Sequence, residues 1–296
     1  MIYENVIEMI GNTPMVKINK LNPSEKVAMY AKLEGINPGG SIKDRVALKM
    51  IQKAIKDGTL TKDKTIIEAT SGNTGIGIAM IGAVMGYAVE IVMSESASIE
   101  RRKMIQSFGA KIILTDPGKG TDGAIIKTKE LVANNPKKYF MPDQFSNVNN
   151  MAAHYETTAD EICKDTGGKI DYFVSSIGTS GTIMGISKRL KELNPNIKIV
   201  CAYPERGHRI QGLKNMEEAI VPKIYDKTKI DEFIIIESEK AFAMARLLAQ
   251  KEGLFVGMSS GATMLAATEI AKRINSGTVV MILPDRGEKY LSTELF

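Results

Sequence analysis

From residue 65 onward, apolar runs of about five residues alternate with longer stretches of helical periodicity. Residues 65–69, 88–93 and 111–115 read as strands. Residues 74–85, 99–108 and 122–134 read as the helices among and after them. Gly86 and Gly109 stand where a helix must stop before the next strand, since glycine takes a left-handed conformation without a Cβ clash. The second half has the same style, with strands at 172–176, 197–203 and 278–283 and helices at 182–193, 239–252 and 261–274. This alternation predicts an α/β protein whose parallel sheets carry helices on both faces. A chain of 296 residues favours two lobes over one large core, and residues 142–150 (PDQFSNVNN) read as a polar hinge between them. Ligands of such sheets bind beyond the carboxyl ends of the strands, so the loops after strands are the places to look for chemistry.

One helix carries a misplaced charge. Pro38, Gly39 and Gly40 break the chain, Ser41 is a good N-cap, and helical periodicity runs to about Asp57 with Gly58 as its stop. At about 100° per residue, Ile42, Val46, Ala47, Met50, Ile51, Ala54 and Ile55 fill one broad arc, and Lys43 falls near its middle. Asp44 shares the arc, but an acid suits the first turn of a helix and a lysine does not. A lysine at a helix end ordinarily snorkels to solvent. Held on the apolar face beside a positive helix end, its pKa falls, which is what Schiff-base chemistry needs.

Several Gly-rich loops each open a helix after a strand or an extended segment. Thr70-Ser71-Gly72-Asn73-Thr74-Gly75 offers hydroxyls, a side-chain amide and free backbone N–H groups, a set suited to a carboxylate; its bland alternative is a capping turn. Gly178-Thr179-Ser180-Gly181-Thr182 forms a second anion cup, suited to a phosphate without a cationic partner. Gly257-Met258-Ser259-Ser260-Gly261-Ala262 precedes a further helix. The stretch Gly75 to Met80 does not complete a dinucleotide fingerprint, and no Walker spacing surrounds Lys43. Two anion cups and a desolvated lysine ask for a ligand with a phosphate and a reactive carbonyl, and for a reaction partner with a carboxylate. Pyridoxal 5′-phosphate (PLP) with an amino acid meets each requirement.

Composition narrows the picture by exclusion. The chain is 44% apolar and 25% charged with a net charge of +5, and its charges are interleaved, so no nucleic-acid patch is expected. Cys163 and Cys201 cannot form a disulfide framework or a zinc quartet, and both read as small buried apolar residues. With only His154 and His208, histidine-based triads or metal sites have few candidates. Residues 1–14 do not read as a signal peptide, and the Gly-rich run at 75–89 is too short to span a bilayer. A cytoplasmic, metal-free protein without a membrane or nucleic-acid partner is expected.

At these loops the sequence resembles the cysteine synthase (O-acetylserine sulfhydrylase) family of fold-type II PLP enzymes. The resemblance runs through GNTPMVKI at 11–18, NPGGSIKDR at 37–45, EATSGNTGIGIA at 68–79, SIERRKMIQSFGAKIILT at 98–115, QFSNVNN at 144–150, GTSGT at 178–182, GMSSGA at 257–262 and LPDRGEKYLST at 283–293. It implies two open twisted sheets with helices on both faces, as in tryptophan synthase β. It further implies an N-terminal domain at 36–146, part of it mobile, and a PLP-phosphate-binding domain formed by 12–35 with 147–296. By position, Lys43 resembles the lysine that binds the cofactor aldehyde, and Asn73 the residue contacting the cofactor's 3′-oxygen. Thr70, Ser71, Asn73, Thr74 and Gln144 resemble the substrate-carboxylate site. Gly178, Thr179, Ser180, Gly181 and Thr182 resemble the phosphate cup, where the family usually has Gly in place of Ser180. Ser259 resembles the serine facing the pyridine nitrogen. The implied reaction has two halves: the substrate amine displaces Lys43, the freed lysine takes the α-proton, the β-substituent leaves, and sulfide adds at Cβ. A homodimer is also implied.

One stretch departs from the commonest family form. The loop Tyr203 to Gly212 is short and is followed by Leu213-Lys214-Asn215-Met216. Together with the C-terminus soon after YLST, this looks more like B-type and phosphoserine-using relatives. By that likeness Gly212 and Lys214 join the substrate site, with Lys214 either contacting a substrate phosphate or lying on the surface. Docking of serine acetyltransferase is left open. Two other readings stand beside cysteine synthase: the same cofactor with cysteine as donor, releasing hydrogen sulfide and giving serine or lanthionine, and a nicotinamide-dependent oxidoreductase. A non-enzymatic role as another enzyme's partner is a further possibility, against which the intact lysine and anion cups argue.

Overall fold

The computed structural model describes residues 2–296. In chain order its regular elements are β1 (Met15–Lys17), β2 (Val27–Leu33), α1 (Lys43–Lys56), β3 (Thr65–Ala69), α2 (Asn73–Met85), β4 (Val89–Ser94), α3 (Ile99–Ser107), β5 (Lys111–Thr115), α4 (Gly120–Asn134), β6 (Tyr139–Phe140), α5 (Val148–Ala153), α6 (Ala159–Thr166), β7 (Tyr172–Ser176), α7 (Gly181–Leu193), β8 (Lys198–Pro204), β9 (Glu232–Ile236), α8 (Ser238–Leu247), α9 (Met258–Arg273) and β10 (Gly277–Leu283). A π-turn at His154–Thr158 joins α5 to α6, and another at Leu248–Glu252 prolongs α8.

The strands form two sheets. One has the order β5-β4-β3-β6, and the other β1-β2-β10-β7-β8-β9. Every pairing is parallel except β1 with β2, an antiparallel edge pair. The N-terminal strands therefore share a sheet with strands from residue 172 onward, while residues 65–140 supply the other sheet. Each sheet has apolar residues packed on both faces. On one face of the larger sheet Ala241, Ala245, Ala266 and Ile270 of α8 and α9 pack, and on the other Ile162, Ile183 and Leu190 of α6 and α7. Each fully buried aliphatic side chain contributes roughly 1.5–3 kcal/mol, and parallel strands covered on both faces read as continuous apolar runs. Residues 65–69 are buried throughout for that reason.

Helix α1 is seated by Val46 and Met50, which pack on Ala153, and by Ala47 and Ile51, which join the core of the smaller sheet. Ile55 lies outside this buried face, 39% exposed, where the wheel placed it on the arc. The helix starts at Lys43 with Ile42 as its flanking residue, rather than at a Ser41 cap; the Ser41 hydroxyl still accepts the Lys43 N–H at 3.2 Å. Behind α1 lies a largely buried charged network: Arg45 binds Glu34 at 2.7 Å and Glu161 at 2.6 Å, and Lys32 binds Glu161 at 2.9 Å. It locks α1 to β2 and α6.

The glycines of α2 have a packing cause. A Cβ on Gly77 would meet Asp44 at 3.1 Å and Ala47 at 3.3 Å, so this position lets α2 lie close on α1. The polar hinge expected at 142–150 is instead a packed segment. Gln144, Phe145 and Asn150 are buried there, and α5 begins at Val148. Cys201 is buried as expected, whereas Cys163 is only partly so. Among the described residues no helix is long and apolar enough to cross a membrane.

Candidate active site

The loops after β3 and β7, the start of α1 and the start of α9 converge on one cavity. Lys43, Thr70, Ser71, Asn73, Thr74, Gln144, Gly178, Thr179, Ser180, Thr182, Gly212, Lys214 and Ser259 all line it. Gly181 does not; a Cβ there would meet Asn150 Oδ1 at 1.9 Å, so its role is to let α7 approach Asn150. Thr121, Ser175, Ser176, Gln211 and Tyr290 also line the cavity and carry no signal in the sequence that would single them out.

Lys43 keeps some accessibility toward this cavity and is otherwise surrounded by protein. Burial lowers its pKa to about 8, a fall only partly offset by the Asp285 and Glu34 carboxylates. The preceding turn is tied to the start of the helix. Asp44 accepts the Gly39 N–H at 2.6 Å, and burial raises its own pKa to about 7. A first-turn acid chosen only for the helix dipole would be exposed; this one is enclosed and braces the loop.

The loop after β3 is supported by a residue the sequence did not flag. Arg101 from α3 is buried, stacks 4.3 Å from the Tyr290 ring centroid, and hydrogen-bonds Gln211 and the Ser71 carbonyl. It makes no ion pair with a carboxylate within 4 Å among the described residues, so its charge acts on the Ser71–Gly72 turn above it. Thr74 and Gln144 are joined directly, and Asn150 ties Gln144 to the other cup by donating to the Gln144 carbonyl at 2.8 Å and to Thr179 Oγ1 at 2.9 Å.

The loop after β7 could hold an anion. Ser180 sits at φ +68°, a conformation that favours glycine, and its buried hydroxyl has no partner. Thr182 is backed by His154, whose Nε2 lies 3.2 Å from Thr182 Oγ1. Burial, with Lys43 and Arg45 nearby, holds His154 well below its usual pKa, so it is neutral. An unpartnered hydroxyl, two threonines and the N-terminus of α7 form a neutral donor set that fits a phosphate. Together with the lysine of lowered pKa, it fits PLP.

Gly212 crosses the cup closely enough that a Cβ on Gly178 would meet its carbonyl oxygen at 2.4 Å. Lys214 is buried, 7% exposed, which excludes the surface alternative for it. Its ammonium pairs with Asp122 of α4 at 2.5 Å and lies 5.3 Å from the Phe145 ring centroid.

Comparison with known proteins gives the family. The family model for pyridoxal-phosphate dependent enzymes matches residues 6–285. A cysteine synthase of Aquifex aeolicus is 48% identical over 301 residues, covering 99% of this chain and 92% of the relative. The crystal structure of cysteine synthase from Entamoeba histolytica superposes with a TM-score of 0.94 at 42% identity, covering 100% of this chain and 91% of that one. That of a hydrogen sulfide-producing enzyme from Fusobacterium nucleatum does so with a TM-score of 0.93 at 46% identity, covering 98% and 100%. These matches set aside the nicotinamide alternative: of the glycines that suggested it, Gly77 packs α2 against α1, Gly75 faces Thr70, Ile91 and Ile105, and Gly72 lies against Arg101. By this near full-length likeness the chain belongs to the pyridoxal-phosphate-dependent enzymes, within the cysteine synthase family.

Proposed function

We propose that this protein makes L-cysteine by replacing the β-substituent of an activated L-serine with sulfide. The observation that carries the reading is Lys43, an amine of lowered pKa facing a cavity flanked by two anion cups. PLP supplies an aldehyde that condenses with amines and a ring that delocalises negative charge from the substrate α-carbon. Thr179, Ser180 and Thr182 would hold its phosphate, Asn73 its ring oxygen, and Ser259 its ring nitrogen. A neutral serine at that nitrogen does not force its protonation, which favours elimination at Cβ over transamination.

Lys43 would hold the aldehyde until the substrate amine replaces it, and the freed Lys43 amine would then take the α-proton as the β-substituent leaves. Thr70, Ser71, Thr74 and Gln144 orient the substrate carboxylate, with the Arg101 charge beneath the turn. The same lysine returns the proton after sulfide adds. Because Lys214 already has Asp122 as counter-ion, the leaving-group end of the cavity has little spare positive charge. This favours O-acetyl-L-serine over O-phospho-L-serine as donor. The protein acts as a cytoplasmic homodimer in this reading, and the two sheets correspond to lobes at 36–146 and at 12–35 with 147–296.

A second reading, hydrogen sulfide release from L-cysteine, is favoured by the likeness to the Fusobacterium enzyme. Steady-state rates separate the two. Cysteine synthase activity predicts that sulfide consumption from O-acetyl-L-serine exceeds sulfide release from L-cysteine by at least about tenfold in kcat/KM, or about 1.4 kcal/mol; the reverse order would overturn it.

A further inference from the structure

Lys289 lies on the turn Gly287–Tyr290 near the C-terminus, yet its side chain is fully buried beside the start of α1. Its ammonium donates to three oxygens: the Gly39 carbonyl at 3.0 Å, the Gly40 carbonyl at 2.8 Å and Asn73 Oδ1 at 3.0 Å. Its backbone is held separately, by the Ser98 hydroxyl donating to the Lys289 carbonyl at 2.7 Å. No carboxylate lies within 4 Å of the ammonium among the described residues. A buried cation committed to two carbonyls and an amide costs desolvation that these hydrogen bonds and the more distant Asp285 and Asp44 carboxylates offset only in part.

The geometry gives it a task. An ammonium has only protons to offer and a carboxylate only lone pairs. Asn73 stands between the two, with Oδ1 on Lys289 and Nδ2 donating to Asp285 Oδ2 at 2.7 Å. Tyr290 donates to the same Asp285 oxygen at 2.6 Å and orients it. The Asn73 amide therefore has one orientation, and its second N–H is left for a ligand of the cavity that Asn73 lines. The same ammonium holds the Gly39–Gly40 turn that leads into Lys43.

We propose that Lys289 is a positioning residue for the cofactor: it fixes the Asn73 amide as a donor toward the cofactor's ring oxygen. This rests on the reading of Asn73 as a cofactor contact.

The test is a double-mutant cycle on the holoenzyme, using Lys289→Met, Asn73→Ala and the pair, with thermal melting to verify folding. The readouts are the dissociation constant for PLP and the position and pH titration of the bound cofactor's visible absorption band. Lys289→Met should weaken PLP binding about tenfold, as expected for one lost charge-assisted hydrogen bond, and should move the band. In the Asn73→Ala background the same substitution should change either quantity by no more than about twofold. An unchanged band and affinity in Lys289→Met, or fully additive effects, would overturn the proposal. If Asn73→Ala alone leaves band and affinity unaltered, the underlying reading of Asn73 fails instead, and the proposal with it. Should Lys289→Met not fold, Lys289→Gln, which also removes the charge, is read by the same criteria.

Discussion

The Thr74 hydroxyl donates to Gln144 Oε1 at 2.6 Å, and the Gln144 amide in turn donates to the Ala69 carbonyl at 2.7 Å. The segment after β6 is thus fastened to the turn after β3, and one N–H of Gln144 remains for a substrate. Gln144→Glu removes both amide donors and brings a negative charge to a proposed carboxylate site. Steady-state kinetics should show KM for the amino-acid donor rising about 10- to 100-fold, with a smaller change in kcat.

Ser180 combines a strained backbone with an idle hydroxyl. Ser180→Gly relieves the left-handed conformation, worth about 1–2 kcal/mol less the added chain entropy of glycine. Chemical denaturation should find the cofactor-free variant more stable by about 0.5–1 kcal/mol. If the hydroxyl serves the phosphate, PLP binds about tenfold more weakly, which fluorescence titration would measure.

Glu68 in β3 is fully buried with one carboxyl oxygen unpartnered. Burial, reinforced by the Asp143 carboxylate, raises its pKa to about 8. The folded state then keeps a proton that the unfolded chain loses above the ordinary glutamate pKa of about 4.3. Between these two values Glu68 takes stability away as pH rises, with a slope of up to about 1.4 kcal/mol per unit. Glu68→Gln should flatten the stability profile between about pH 5 and 8; urea unfolding at several pH values tests it.

Asp122 is the counter-ion that silences Lys214. Asp122→Asn frees that charge without removing the side chain. The ratio of kcat/KM for O-phospho-L-serine to that for O-acetyl-L-serine should rise at least about fivefold, or about 1 kcal/mol. An unchanged ratio would show that Lys214 does not face the leaving group.

Much of this site is legible as sequence because its loops follow strands and open helices. Helix starts and Gly-rich turns are local signals, and Lys43, Asn73, Thr179 and Ser259 sit on them. The strands at 65–69 and 172–176 stand out because burial on both faces makes them continuous apolar runs, whereas 111–115 is an apolar edge strand that is only partly buried. What the sequence hides is non-local. Strand β1 has three residues at a sheet edge, and β2 includes the buried Lys32, whose charge is balanced by Glu161 and Asp165 far along the chain. Arg101, Asp285 and Lys289 carry no local signal that assigns them a role, yet all three are buried beside Lys43 or the turns around it. Their partners lie up to 250 residues away, so no spacing rule reveals them. The segment 142–150 looks solvated because its side chains are polar, but they hydrogen-bond one another and neighbouring backbone.

The central claim is that the Lys43 amine captures an aldehyde at ordinary pH. Cofactor-free protein should be mixed with PLP at a series of pH values, reduced with borohydride and digested for mass spectrometry. The account predicts a pyridoxyl group on Lys43, with the rate of capture rising through a single inflection near pH 8, where the buried amine loses its proton. Labelling spread over surface lysines, or capture at Lys43 that rises only near the ordinary lysine pKa of about 10.4, would contradict it.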